Sequence, residues 1–241
     1  MLDLLAFDMD GTLADTETLK AESYAWAAHR LRPDLDPAGV VAAYTGSCIG
    51  RSRREIATSL LHRFGLADAA REHDGSAEPW ESYVGLRLER YRAVLSDGDV
   101  VRARALPHAV ELARDWRTYA RSAAVVTTSG AQNAALVLGA LGLADAFDTV
   151  VTADDVGRTK PDPESYRLAL ARTASAAERS VAVEDSPAGV RSAAAAGLAV
   201  VAVPDRFTAG GIEGLVRAGL IATGDVAAPE GVRAAVARRA G

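Results

Sequence analysis

Cysteine is almost absent: Cys48 is the single one in 241 residues. One thiol cannot close an internal disulfide, so nothing points to a secreted disulfide scaffold. Cys48 reads as a small packed residue rather than a reactive thiol. An excess of positive charge is missing too. Lys and Arg number 27 against 32 Asp and Glu, for a net charge of -5. Nucleic-acid binders carry the opposite balance, so no nucleic-acid partner is expected. Acidity does not exclude an anionic substrate, because a local metal ion outweighs global charge. Long apolar runs are also lacking, and none approaches the roughly 18 residues of a membrane span. The N-terminal LDLLAF is broken by Asp3 and ended by Asp8, too short and too acidic for a signal peptide. The expectation is a cytoplasmic chain with no membrane partner, as a monomer or small homo-oligomer.

What is present is apolar mass. Hydrophobic residues make up 49 %, enough for a sizeable core in one large α/β domain or a core plus a small second domain. Leu4 to Phe7 reads as a short buried strand ending at Asp8. Glu17 to Leu31 reads as a helix stopped by Pro33, and the pattern stays helical to about residue 95, with a polar, loop-like linker from Asp68 to Pro79. After Pro107 the texture changes. Short apolar runs at Ser122–Val126, Thr149–Thr152, Ser180–Val183 and Leu198–Val203 alternate with alanine-rich helical stretches at 131–142, 163–173 and 187–196. Apolar strands alternating with helices indicate a parallel sheet covered on both faces. The first strand belongs with these by type but is cut off by the helical block. The expected fold is therefore α/β: a Rossmann-like three-layer α/β/α core from residues 1–14 and 98–241, with a small α-helical cap inserted at 15–97.

Ligands of such sheets sit at the carboxyl ends of the strands. The residues that follow the strands are Asp8-Met9-Asp10-Gly11-Thr12, then Thr127-Thr128-Ser129-Gly130, then Asp154-Asp155 with Thr159-Lys160-Pro161, then Glu184-Asp185-Ser186-Pro187. Carboxylates, hydroxyls and one lysine thus converge on one edge. Four carboxylates together repel one another unless a cation joins them. An oxygen-rich, histidine-free set suits Mg²⁺, which keeps phosphate oxygens in its shell and so suggests a phosphorylated substrate. A carboxylate is a competent nucleophile towards phosphorus. Mg²⁺ and Lys160 would offset its repulsion from the substrate anion. A hydroxyl and the N–H groups at the start of the helix after Thr127 would hold phosphoryl oxygens. Asp10 could protonate the leaving oxygen and later deprotonate water.

These residues resemble the haloacid dehalogenase superfamily. Four motifs match in order: DMDGT at 8–12, VVTTS at 125–129, TKPDP at 159–163 and VEDSPAG at 183–189. Together with a helical insert after the first strand, they are similar to the subfamily of β-phosphoglucomutase, phosphoglycolate phosphatase and CbbY-type sugar-phosphate phosphatases. The resemblance implies that Asp8 is the nucleophile and a metal ligand. It makes Asp10 the general acid/base, lending its backbone carbonyl to the metal. Thr127 would bind the phosphoryl group, with Thr128 as the alternative because VVTT can be registered either way. Lys160 would neutralise nucleophile and phosphate; Asp185 would ligate Mg²⁺, and Glu184 would do so directly or through water.

In the cap, Asp15-Thr16 matches the mutase form, but Lys20 stands where the mutase has a histidine. That tilts the expectation from phosphosugar mutase to phosphatase for a small phosphorylated substrate. Thr16, Glu17 and Lys20 are candidate substrate contacts, with Glu17 suited to a sugar hydroxyl. Arg51 and Arg53 fall where the family's specificity loop lies and could pair with a second anionic group. A binding or regulatory module without catalysis is the remaining alternative, disfavoured because every catalytic position is filled.

Overall fold

The computed structural model describes residues 1–49, 52–75 and 78–241. The chain forms two compact units, Met1–Asp15 with Gly98–Gly241, and Thr16–Asp97. The first opens with strand β1 (Leu2–Phe7), whose six side chains are all buried.

The second unit is a helical cap inserted after that strand. It contains α1 (Thr16–Leu31), α2 (Pro37–Ser47), α3 (Arg53–Phe64), α4 (Ala67–Asp74) and α5 (Pro79–Leu95). Local chemistry starts two of these helices. Asp36 accepts from Ala38 N ahead of Pro37 in α2. Ser52 and Glu55 cap α3 reciprocally, each side chain taking the other's backbone N–H. The cap has its own core around Tyr24, Tyr44, Leu60, Leu66 and Tyr83, and Cys48 is buried within it. The guanidinium of Arg87, on α5, lies over the rings of Tyr24 and Tyr91. Helix α4 corrects the polar linker expected from Asp68 to Pro79. Ala70 faces the cap core and Arg71 pairs with Asp68 one turn earlier, so the polar residues mark the outer face of a helix.

The first unit resumes with α6 (Gly98–Arg102) and α7 (Pro107–Arg114), then β2 (Ala120–Val126), α8 (Ala131–Ala140), β3 (Thr149–Val151), α9 (Glu164–Arg172), β4 (Ser180–Glu184), α10 (Pro187–Ala195) and β5 (Ala199–Ala202). It ends with α11 (Ala209–Arg217) and α12 (Val232–Ala240). Among the described residues the sheet has five strands, all parallel, in the order β3-β2-β1-β4-β5. Leu4, Ala6, Ala124, Val126 and Ala182 pack with Tyr166, Val190, Ile212 and their neighbours from α9, α10 and α11. The alternate residues Leu5, Phe7, Ala123 and Val125 are buried as well, so the other face is also covered. Burial on both faces is why these strands read as continuous apolar runs. The outgoing and returning segments meet at a bridge between Ala14 and Ala105, where Asp15 N donates to Arg104 O and Leu106 N to Leu13 O.

Candidate active site

Strand register builds the site. Phe7 pairs with Val125 of β2 and Val183 of β4, so Asp8, Val126 and Glu184 stand side by side at the carboxyl edge. Asp8 N donates to Val183 O at 3.0 Å, fixing the backbone beneath its carboxylate. The chain then turns tightly, with Leu13 N donating to Met9 O and Gly11 N to Ala14 O. Gly11 has a φ of +91°, and a Cβ there would stand 2.4 Å from Asp185 Oδ2. A side chain at position 11 would therefore push into the carboxylate cluster. Thr12, in the same turn, donates its hydroxyl to Asp185 Oδ1 at 3.3 Å.

Lys160 ties three strand ends together. Its Nζ donates to Asp8 Oδ1 at 2.6 Å, Glu184 Oε1 at 2.6 Å and Val126 O at 2.7 Å. The ammonium thus has an acceptor for each of its three protons. Burial pushes the Lys160 pKa down, but the charges of Asp8 and Glu184 outweigh it and the net shift is upward. Asp8 is pushed up to about 7, first by burial and further by Glu184 and Asp10, with Lys160 opposing.

Asp10 is held by hydroxyls. Its Oδ2 accepts from Thr127 Oγ1 at 3.0 Å and from Ser129 Oγ at 2.8 Å. Ser129 N in turn donates to Thr127 Oγ1 at 3.0 Å. Thr128 is exposed, whereas Thr127 is buried. The N–H groups expected to await phosphoryl oxygens are partly engaged within the chain: Ala131 N, opening α8, donates to Asp154 Oδ2 at 2.8 Å.

Two residues to which the sequence reading gave no role complete the site. Ser129 belongs to the second motif-bearing turn, but nothing in its type announces a bond to Asp10. Tyr166, on α9, donates its hydroxyl to Glu184 Oε1 at 2.6 Å, and burial followed by Glu184 drives its pKa well above the ordinary value. Its only sequence signal is its place six residues after Lys160, one turn into the helix that follows KPDP.

The remaining candidates lie in the cap. Thr16 is buried at the start of α1. Glu17 is bracketed by Lys20 Nζ at 2.6 Å and the Tyr44 hydroxyl at 2.9 Å. Arg53 is exposed at the start of α3. Arg51 lies outside the described residues.

One oxygen from each of Asp8, Glu184 and Asp185 falls within 4.8 Å of the others, and all three residues are buried. An all-carboxylate, buried set fits a hard divalent cation with oxygen preference. A nucleophilic oxygen, a fixed counter-charge, a hydroxyl-held acid and a seat for a cation make an arrangement able to transfer a phosphoryl group.

Comparison with known proteins agrees. The family model described as Haloacid dehalogenase-like hydrolase matches residues 5–203. Protein CbbY of Cereibacter sphaeroides is 31 % identical over 214 residues, covering 86 % of each chain. Hexitol phosphatase A of Escherichia coli (strain K12) is 34 % identical over 197 residues, covering 82 % of this chain and 81 % of that protein. Among solved structures, a mutant of CbbY from Rhodobacter sphaeroides in complex with xylulose-(1,5)bisphosphate superposes with a TM-score of 0.67 at 27 % identity, covering 86 % of this chain and 88 % of that one.

Proposed function

Since the chain belongs to the haloacid dehalogenase-like hydrolases, we propose that it is a Mg²⁺-dependent phosphatase acting on a sugar phosphate or a phosphoglycolate-like acid through an aspartyl-phosphate on Asp8. Hydrolysis of a small phosphorylated metabolite by an aspartate nucleophile is what the family and the buried carboxylate cluster support in general terms. The observation that carries the proposal is Lys160 Nζ standing 2.6 Å from Asp8 Oδ1, beside an Asp10 that two hydroxyls orient.

Asp8 attacks phosphorus with a carboxylate oxygen, and the phosphorus–ester oxygen bond breaks. Asp10, protonated, gives its proton to the departing alkoxide. Water then attacks the phosphorus of the acyl phosphate and yields its proton to Asp10, releasing orthophosphate and restoring the Asp8 carboxylate. Lys160 remains against Asp8 throughout and offsets charge as the phosphoryl anion approaches. The Thr127 hydroxyl, freed from Asp10, donates to a phosphoryl oxygen, with Thr128 the alternative donor. Asp8, Asp185, Glu184 (directly or through water) and the Asp10 carbonyl would hold Mg²⁺, which supplies further neutralisation of the phosphoryl oxygens.

In the cap, Thr16, Glu17, Lys20 and Arg53 select the substrate, with Arg51 beside them in sequence. The bond between Lys20 and Glu17 favours the phosphatase over the mutase, because Lys20 is committed to a carboxylate where the mutase has a histidine.

The test is phosphate release from p-nitrophenyl phosphate and a panel of sugar phosphates, with Mg²⁺ and with chelator. Asp8→Asn should lower turnover by roughly a thousandfold or more. Full activity in that variant would sink the mechanism. Glucose 1-phosphate, followed for both free phosphate and isomer, separates hydrolysis from phosphoryl return to sugar.

A further inference from the structure

Tyr166 makes two contacts with the ion cluster, and each has its own chemistry. The hydroxyl donates to Glu184 Oε1 at 2.6 Å, the same oxygen that accepts Lys160 Nζ at 2.6 Å. The ring lies beneath that ammonium, with Nζ 5.2 Å from the centroid, within the range of a cation–π contact. Tyr166 and Glu184 are both fully buried, so water does not compete for either bond. The second oxygen of Glu184 is far less engaged: Ser186 Oγ approaches it only at 3.4 Å. Gly189 closes a further side of the whole carboxylate, where a Cβ would stand 1.9 Å from Oε2 and 2.1 Å from Oε1. Glu184 is thus caged, with one oxygen doubly bonded on the side of Lys160.

We infer that Tyr166 is a positioning residue that commits Glu184 to Lys160, so that Lys160 is held at Asp8 as its counter-charge while Asp8 and Asp185 face the cation directly and Glu184 meets it only through water. The hydroxyl fixes the carboxylate, and the ring face supports the ammonium from below. A carboxylate with one donor on Oε1 is freer to rotate towards a divalent cation than one with two. Lys160 would then lose part of what holds it against the nucleophile. The assignment rests on the phosphatase reading for its kinetic consequence, but not for its binding consequence.

The experiment compares the full chain with Tyr166→Phe, which removes only the hydroxyl, and Tyr166→Leu, which removes ring and hydroxyl. Three quantities are read: steady-state kinetics on p-nitrophenyl phosphate, Mg²⁺ affinity by calorimetric titration without substrate, and the thermal midpoint. For Tyr166→Phe, kcat should fall about tenfold with KM within about twofold, the scale of a lost outer-shell partner. Mg²⁺ should bind about two- to fivefold more tightly, because a released Glu184 adds a carboxylate oxygen to the ligand set. Tyr166→Leu should lose more kcat, about a hundredfold, with the same direction of change for Mg²⁺. An unchanged kcat in Tyr166→Phe overturns the assignment. So does weaker Mg²⁺ binding in parallel with kcat, which would make Tyr166 an orienter of a metal ligand. A kcat loss that merely tracks a fall in thermal midpoint, with Mg²⁺ affinity constant, also overturns it and leaves a packing role. If the unmutated chain turns over no phosphate ester, the phosphatase reading fails, and the Mg²⁺ titration alone decides the role of Tyr166.

Discussion

Gly189 and Gly11 show how little space the site leaves. The first has no room for a side chain because Glu184 occupies it; the second faces Asp185 and also has a left-handed backbone. Gly189→Ala must displace either α10 or the buried Glu184 carboxylate at the end of β4. It should cost kcat on an aryl phosphate by roughly a hundredfold, as for other losses of a preorganised charge. Near-normal turnover in Gly189→Ala would show that the cluster gives way more easily than its packing suggests. Lys160→Met removes a donor shared by Asp8 and Glu184 and leaves two buried carboxylates closer to unpaired. Its kcat should fall by about 10²–10³ with KM changing far less, measured over a range of substrate concentrations.

At this scale the sequence was legible where residue type is rare after a strand. Acids and a lysine following apolar runs stand out, and the structure gathers Asp8, Asp10, Thr127, Lys160, Glu184 and Asp185 at one edge. Ser129 and Tyr166 were not legible, because a serine in a turn or a tyrosine in a helix has many ordinary uses. Their bonds depend on strand register and helix rotation, which no local pattern states.

Helices and turns show a different mixture of signals. Buried parallel strands announce themselves as apolar runs, so the β-elements and the interrupted core were readable. Helix α4 was not, because eight mostly polar residues with one buried alanine look like a loop until the rest of the cap supplies an apolar face for Ala70. Helices α11 and α12 also went unread. They follow the last motif, in a stretch where small residues and glycines blur the period. Two predictions belong here. Ser52→Ala removes one half of the reciprocal cap on α3 and should destabilise the cap unit by about 1 kcal/mol, read as a lower urea midpoint. Ala174, just after α9, has a φ of +49°, which side chains adopt at a cost. Ala174→Gly relieves that strain and should raise stability by about 0.5 kcal/mol after the added chain entropy is deducted. A lower midpoint would show that the methyl packs more than the backbone strains.

On the scale of the whole molecule, charge links stability to solution conditions. The Arg172 guanidinium, with the Thr152 hydroxyl and N–H, holds Asp155 at about 2. An unfolded aspartate titrates near about 3.9. The folded value is the lower one, so this contribution is present above about pH 4 and is lost as pH falls towards 2. Asp155→Asn should therefore be less stable than the parent at pH 6, with the difference closing by about pH 2 in paired urea titrations. A difference that stays constant with pH would assign the loss to geometry and not to charge. Mg²⁺ should act in the opposite sense on the crowded carboxylates. A ligand of the folded state at a hundredfold excess over its Kd adds about 2.7 kcal/mol. The thermal midpoint should rise with Mg²⁺, return with chelator, and fail to respond in Asp185→Asn.

The place of β1 has a consequence for the chain as it is made. Of the five strands of this sheet, the central one comes first in chain order, and its neighbours β2 and β4 begin only at residues 120 and 180. At synthesis rates of about 5–20 residues per second, an apolar hexapeptide waits roughly ten seconds or more for its second partner. Meanwhile the cap, contiguous in sequence and with a core of its own, emerges complete. Nascent chains of this protein should therefore expose β1 unpaired while the helical unit is already formed, and their dependence on chaperones should peak before residue 180 and fall once β4 has cleared the exit tunnel.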